Sequence, residues 1–354
     1  MEKNKKIILA LSALLTVILV CLVSIWVRYG QRVKSYECTN YAMGTYVQQT
    51  VYGENAQAAA TAAAKKIGEL ENLISWRVTD SDIYKLNQAS GSDWVKLDAR
   101  TIALLQKSLD VARKSGGAFD PTILPITSMW DFGGSNQHVP AKTDISRYLK
   151  YVDFNDLRVN TEDSTASLKQ HYMAVDFGAI GKGAACDEAV AAYRQSGADC
   201  GIVAVGGSVG VFGTKADKSA WHIAVRDPRS TETQSASMGT IDLTSGFVST
   251  SGTYEKTFTQ NGVTYHHLLN PKTGYPENNG LISVTVVCDN GALSDALSTA
   301  CFILGQEKGT ALLKEYNASG IFINTENKVL VTDNIGNSFN IVNKQYNLIN
   351  NGVK

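Results

Sequence analysis

Three stretches of this chain set reactive side chains at spacings that a fold can use. Val175-Asp176-Phe177-Gly178-Ala179-Ile180-Gly181-Lys182-Gly183 reads as a strand running through glycines into a helix. Such a turn offers free backbone N–H groups and the positive end of a helix dipole, which suit a phosphate. It is not a P-loop, which would need Gly at 176 and Ser or Thr at 183. The competing reading is a tight strand-to-helix turn with Lys182 in solvent. Further on, Ser294-Asp295-Ala296-Leu297-Ser298-Thr299-Ala300 sets Asp295 and Thr299 at i and i+4 on one helical face. A carboxylate, a hydroxyl and nearby carbonyls are hard oxygen donors suited to Mg²⁺. Alternatively, Ser294 caps the helix and Asp295 only complements its dipole. Between them lies His267-Leu268-Leu269-Asn270-Pro271-Lys272-Thr273-Gly274, a structured turn after a strand. His267 there is a candidate acid/base or ligand contact, or else a partly buried structural histidine.

Two smaller pieces complete the set. Ala118-Phe119-Asp120-Pro121 follows Gly116-Gly117, giving a turn with an aromatic and a carboxylate. Trp76-Arg77 ends a helix, and Trp76 is either a core aromatic or a stacking platform for a planar ligand.

The elements that must position these residues alternate along the chain. Helices are expected over 56–74, from an N-cap at Asp98 to Gly116, over 180–196 and over 294–304. Strands are expected over 46–52, 157–160, 165–168, 173–177, 221–226, 239–243, 254–259, 263–269, 281–288, 320–324 and 329–332, with a strand pair in 201–212. Asn261-Gly262 is a two-residue hairpin turn. Hairpin-linked strands with interspersed helices predict an α+β fold with antiparallel sheet, not a doubly wound nucleotide fold.

The 354 residues hold 33 Lys+Arg and 33 Asp+Glu, so bulk charge gives no reason to expect nucleic acid as a partner. Ile7–Val27 carries no charge and follows Lys3, Lys5 and Lys6. At about 1.5 Å per residue a helix of that length spans a bilayer core. No small residues mark a cleavage site at Ile25-Trp26-Val27-Arg28, so the segment is expected to be an uncleaved anchor. The divisions expected are 1–6 cytoplasmic, 7–27 transmembrane, 28–40 a polar stalk, 41–346 the folded domain and 347–354 a tail. The five cysteines beyond the anchor match no zinc spacing and cannot all pair.

Taken in order, the motifs resemble the ApbE family of FAD:protein FMN transferases. The matching pieces are Ala42-Met43-Gly44-Thr45, Ser75-Trp76-Arg77 with Ser81 and Asn87, the 117–121 and 176–183 turns, Val205-Gly206-Gly207, Ser249-Thr250-Ser251-Gly252, the 267–274 turn and 295–299. The resemblance implies an α+β, tandem T-fold-like domain that moves FMN from FAD to a Thr or Ser hydroxyl of a target protein, releasing AMP, with Mg²⁺. Carried over by position, Met43, Trp76, Ala118, Phe119, Asp120, Asp176, Lys182 and Leu269 would contact FAD. Ala179 and Ser298 through their carbonyls, with Asp295 and Thr299, would hold the metal. His267 would help deprotonate the acceptor, with Asp120 and Asp176 as rivals for that role or as plain hydrogen-bond partners of the ribityl and adenine groups. Trp76 stands where the family often has Tyr, which keeps the stack and loses a hydroxyl. The same site with water as acceptor would be an FAD pyrophosphatase, and without catalysis a tethered flavin-binding protein. The implied setting is the extracytoplasmic face of the cell membrane, with a redox protein there as the target.

Overall fold

The computed structural model describes residues 16–21, 34–215, 217–230, 236–332, 335 and 338–349. Of the expected 7–27 anchor only Thr16–Cys21 is described, and it is helical; the rest of that segment lies outside the described residues. Among the described residues no helix is long and apolar enough to cross a membrane.

The frame is a nine-stranded sheet. Its strands are β1 (Ser35–Ala42), β2 (Thr45–Tyr52), β6 (Cys200–Val205), β7 (Ser208–Phe212), β10 (Gly246–Gly252), β13 (Leu281–Cys288), β14 (Ser319–Asn324), β15 (Lys328–Val331) and β17 (Asn347–Ile349), in that spatial order. Every neighbouring pair is antiparallel except β15 with β17. Alternation of side chains gives the sheet two apolar faces. Val47, Val51, Val203, Val205, Val284 and Val286 point into a core shared with helices α1 (Ala56–Ile74), α6 (Gly181–Gln195) and α7 (Gly291–Glu315). Val211, Val248, Ile321, Ile323 and Val329 point the other way. There they meet Trp221, Ile223 and Ile241 of a smaller sheet, β16 (Phe339–Ile341), β9 (Ser237–Leu243) and β8 (Trp221–Arg226). The remaining strands are β3 (Val95–Lys96), β4 (Leu157–Asn160) and β5 (Thr165–Leu168) in one small sheet, and the hairpin β11 (Thr257–Gln260) with β12 (Val263–His266).

Small residues let the helices lie close to one another. On α1 the buried positions Ala56, Ala59, Ala60, Ala63, Ile67, Leu70 and Ile74 form one stripe at helical spacing. Its neighbour α6 buries Gly181, Gly183, Ala184, Ala185, Ala189 and Ala192. The start of α7 is capped twice. Asn290 accepts from the N–H of Leu293, and the Asp187 carboxylate of α6 accepts from Gly291 and Ala292 at 2.8 and 2.9 Å. Gly305, with φ of 79°, breaks α7 where the apolar pattern predicted its end.

Several expectations change. Residues 173–177 are not a strand: they make one bridge, Ile123 to Ala174, and one bond from Asp176 N–H to Pro121, and the Asn87 side chain binds both the N–H and C=O of Val175. The stalk reading fails over 35–40, because Ser35–Ala42 is an edge strand of the main sheet. The tail reading fails over 347–349, which pair with β15. The helix cap is Asn290, not Ser294. The strand expected at 254–259 starts only at Thr257, after Lys256 takes a positive φ of 45°. Helices α2 (Asp82–Gln88), α4 (Leu124–Trp130) and α5 (Lys142–Leu149), and strand β10, were not expected. Helix α3 (Ala99–Lys114) starts from Asp98 as its cap motif predicts.

Candidate active site

The segment leading into the 176–183 turn is braced by side chains of α2 and its cap. Ser81 caps α2, accepting from Tyr84 N–H, and donates to the Ser75 carbonyl at 2.7 Å. That helix carries Asn87, which clamps Val175. The N–H of Asp176 donates to Pro121, so the 118–121 turn runs alongside. The turn then closes on itself, with Gly178 N–H donating to the Asp176 carboxylate at 2.8 Å. Burial pushes the Asp176 carboxyl above its usual range, against the pull of Arg77, Lys256 and Lys182.

Where α6 begins, it meets α7. The Gly183 N–H donates to Asp295 Oδ2 at 3.0 Å, and Lys182 Nζ lies 3.4 Å from Asp295 Oδ1 and 3.2 Å from the Gly178 carbonyl. Burial lowers the Lys182 pKa, but the carboxylates of Asp295 and Glu255 outweigh it and hold the ammonium above its ordinary value. One turn along α7, the Thr299 hydroxyl lies 3.2 Å from that of Ser251, which is also 2.7 Å from the Ser298 hydroxyl. A second hydroxyl pair, Ser249 with Ser294 at 2.7 Å, fixes α7 to β10 on the N-terminal side. The Met43 side chain closes the approach to α6: a Cβ on Gly181 would lie 3.2 Å from Met43 Cε.

Beside the turn lies a cavity of 440 Å³ lined by Trp76, Leu124, Pro125, Ser128, Met129, Tyr148, Tyr172 and Ala174. Trp76 is half-buried, with the Arg77 guanidinium 4.0 Å from its ring centroid. An apolar cavity walled by aromatics, next to a glycine turn with cations, fits a ligand with a planar ring and a phosphate.

The ApbE family model matches residues 43–322. The chain belongs to the ApbE family. It is 31% identical over 333 residues to the FAD:protein FMN transferase of Treponema pallidum, covering 89% of this chain and 91% of that protein. A second relative, the FAD:protein FMN transferase of Klebsiella pneumoniae, is 29% identical over 85% of this chain and 92% of its own length. Among solved structures, the ApbE protein of Thermotoga maritima matches with a TM-score of 0.79 at 29% identity, over 86% of this chain and 99% of that one. The flavin transferase ApbE of Vibrio cholerae shares the fold, with a TM-score of 0.77 at 22% identity.

Within this ApbE-family site the residues singled out in the sequence fall into three groups. Lys182 and Asp295 meet where α6 and α7 cross, Ser298 and Thr299 follow one turn along α7, Asp176 faces Lys182, Ala179 lies in the turn between them, and Met43 and Trp76 border the site. Asp120 is close but committed: its carboxylate accepts from Thr122 N–H and Oγ1 and from Phe154 N–H, at 2.8, 2.6 and 3.0 Å. It fixes the turn against Phe154, and the Phe119 N–H just before it donates to Ser115 Oγ at 3.1 Å. Leu269 is buried in a separate apolar cluster with Ile126, Trp130 and Ile145.

His267 is the third case. Its Nδ1 lies 2.9 Å from the Glu255 carbonyl, an acceptor only, so Nδ1 carries the proton and Nε2 keeps its lone pair. Burial, reinforced by the charges of Lys256 and Lys182, lowers its pKa to about 3. Unfolding frees the ring to bind a proton below its ordinary value near 6.5. Stability is therefore expected to fall as pH drops from 6.5 toward 3, and His267→Gln should flatten that slope. Chemical denaturation across this range checks it. His267 contributes up to about a tenfold change in the folding constant per pH unit, and an unaltered slope in His267→Gln would show that the ring already titrates in the fold.

Sequence reasoning passed over Glu255 and Lys256, which follow the Ser249–Gly252 motif and sit with Lys182 and Asp176. Glu255 Oε1 lies beside Gly207, 3.8 Å from where a Cβ there would stand.

Proposed function

We propose that the chain is an FAD:protein FMN transferase, moving FMN from FAD to a Thr or Ser hydroxyl of a target protein and releasing AMP. The observation that carries this reading is the crossing of α6 and α7. It brings a glycine turn, Lys182 and the Asp295–Thr299 pair into one place beside an aromatic cavity. The acceptor oxygen bonds to the FMN phosphorus, the bond to the bridging oxygen breaks, and AMP leaves with that oxygen. The hydroxyl proton passes to a base or to solvent; His267 Nε2 is unprotonated, but the burial that lowers its pKa to about 3 makes it a weak acceptor for that proton. Such a transfer needs positioning and charge neutralisation more than covalent chemistry. Trp76 stacks on the isoalloxazine, the Lys182 ammonium faces the diphosphate across the 176–183 turn, most of whose N–H groups are bonded within the protein, and Asp120 keeps the 118–121 backbone in register.

Asp295, Thr299 Oγ1 and the carbonyls of Ala179 and Ser298 would hold Mg²⁺. All are hard oxygen donors, and among the described residues no group of three or more His, Cys, Asp or Glu side chains forms a metal cage. That donor set fits a cation that completes its shell with water and substrate phosphates. When bound, the ion neutralises charge that develops on the diphosphate.

The test is product analysis of FAD with and without an acceptor protein, in Mg²⁺ and in chelator. AMP release that depends on acceptor and Mg²⁺ supports the reading. Equal AMP and free FMN without acceptor identifies a pyrophosphatase, and intact FAD throughout identifies a binding protein.

Trp76→Ala should weaken FAD binding by about 1 kcal/mol, roughly fivefold, from the lost stack, while Trp76→Tyr stays near wild type. Flavin fluorescence titration reads both, and unchanged binding in Trp76→Ala would make it a wall residue only.

The reading includes an anchor over 7–27, the catalytic domain on the extracytoplasmic side and a redox protein there as target. The charge-free length of that segment supports it. Fractionation with protease digestion of spheroplasts tests it: membrane-bound protein whose domain is digested from outside is expected, and a protected or soluble protein overturns it.

A further inference from the structure

Two cations at this site have no acidic partner. Lys182 is paired with Asp295, but among the described residues no carboxylate lies within 4.0 Å of the Lys256 ammonium or the Arg77 guanidinium. Lys256 is also held in an unusual way. Its backbone has a φ of 45°, a region that a side chain rarely adopts. The residue before it is pinned, because the Glu255 carbonyl accepts from His267 Nδ1–H. Upstream, the Thr253 N–H donates to Ile282 and anchors the loop to β13. The stem of Lys256 runs against Gly133, whose Cβ would stand 4.0 Å from Lys256 Cδ. The loop thus spends backbone strain and a histidine on aiming one lysine among Asp176, Arg77 and Lys182. Desolvation, then the charge of Lys182, pulls its ammonium below the usual lysine range, and the carboxylates of Asp176 and Glu255 offset this only in part. Such an arrangement is offset by an anion that arrives with the substrate.

We propose that Lys256 is a substrate-contacting residue that binds the diphosphate of the incoming dinucleotide from the 252–256 loop, adding an unpaired charge to that of Lys182, which is shared with Asp295. The inference rests on the flavin-dinucleotide reading above. Within it, His267 acts as a positioning residue for Lys256, independently of any part it takes in moving the acceptor proton.

The experiment uses the full chain and three ligands: FAD, riboflavin, which has the ring without phosphate, and ADP, which has the diphosphate without the ring. A charge-assisted contact predicts that Lys256→Met weakens FAD and ADP by roughly tenfold or more. Riboflavin should change less than about twofold and Lys256→Arg should stay near wild type, since the contact is to phosphate alone. Wild-type affinity for FAD and ADP should also fall with added salt, and this dependence should shrink in Lys256→Met. Equal losses for FAD and riboflavin would make Lys256 structural and overturn the proposal, as would unchanged FAD and ADP binding. Thermal melting of each variant identifies misfolding, and the Arg variant with the wild-type salt dependence then decides. A wild-type chain that binds FAD and ADP through Lys256 but modifies no acceptor would overturn the transferase reading and leave this one standing.

Discussion

Asp295→Ala is expected to abolish flavin transfer while the nine-stranded sheet still forms. Asp295 is 3% exposed and does three things at once. Its Oδ2 accepts the Gly183 N–H, its Oδ1 faces Lys182, and it is the one carboxylate among the proposed metal donors. Alanine removes all three and leaves the Gly183 N–H and the ammonium without their partner. Unpaired groups of that kind cost about 1–3 kcal/mol each, which melting should show as a moderate loss. The rate should suffer far more, on the order of a hundredfold or greater, because the loss falls on the charge that stabilises the reacting phosphate. Asp295→Asn separates the effects. It keeps an acceptor for Gly183, so its stability should return toward wild type while transfer stays low. An Asn variant with wild-type activity would remove the metal role and leave Asp295 as a helix-crossing residue.

The second large effect is expected at Gly183, a position that contributes no side chain. Built there, a Cβ would stand 2.0 Å from the Gly291 carbonyl oxygen and 2.8 Å from Asp295 Cβ. The neighbour at the first contact is backbone, so a rotamer change gives no relief. Gly291 is equally confined, its Cβ falling 2.3 Å from the Gly183 carbonyl oxygen. Gly183→Ala must therefore push α6 and α7 apart. Overpacking costs about 1–3 kcal/mol where side chains yield and more where backbone must move. The same displacement separates Lys182 and the Gly183 N–H from Asp295, so activity and melting temperature should fall together. Gly178→Ala is the control: its Cβ would approach only the Asp176 carboxylate, at 3.3 Å, and its melting temperature should change little. A Gly183→Ala variant with normal stability would mean that the helices cross less tightly than described.

These two positions show what was legible in the sequence and what was not. The Gly-Lys-Gly stretch and the Asp295–Thr299 spacing were visible because each is local: a turn and one helical face. That they form one site depends on the α6–α7 crossing, which no local pattern encodes. Helix α1 was visible in its alanine stripe, and β12 from the Asn261-Gly262 turn, both of whose residues take positive φ. Residues 173–177 misled because their apolar alternation is a strand's, whereas both backbone groups of Val175 are bonded by the Asn87 side chain and the Asp176 N–H by Pro121. Strand β1 was missed because it lies at an edge: most of its residues are exposed, so no apolar periodicity marks it. Asp120 and Leu269 were chosen for their place in motifs; in the fold Asp120 accepts from Thr122 and Phe154, and Leu269 packs with Ile126, Trp130 and Ile145. Lys256 went unnoticed since nothing about a lone lysine after Tyr254-Glu255 hints at a positive φ or a distant Lys182.

The central claim is that a hydroxyl of another protein takes FMN from FAD at this site. The direct measurement is the intact mass of an acceptor protein after incubation with the chain, FAD and Mg²⁺, beside the same mixture made with Asp295→Ala. The account predicts a gain of one FMN less one water on the acceptor, localised to a Thr or Ser, with AMP formed in equal amount, and neither in the Asp295→Ala mixture. An acceptor of unchanged mass while FAD is converted to free FMN and AMP would contradict it.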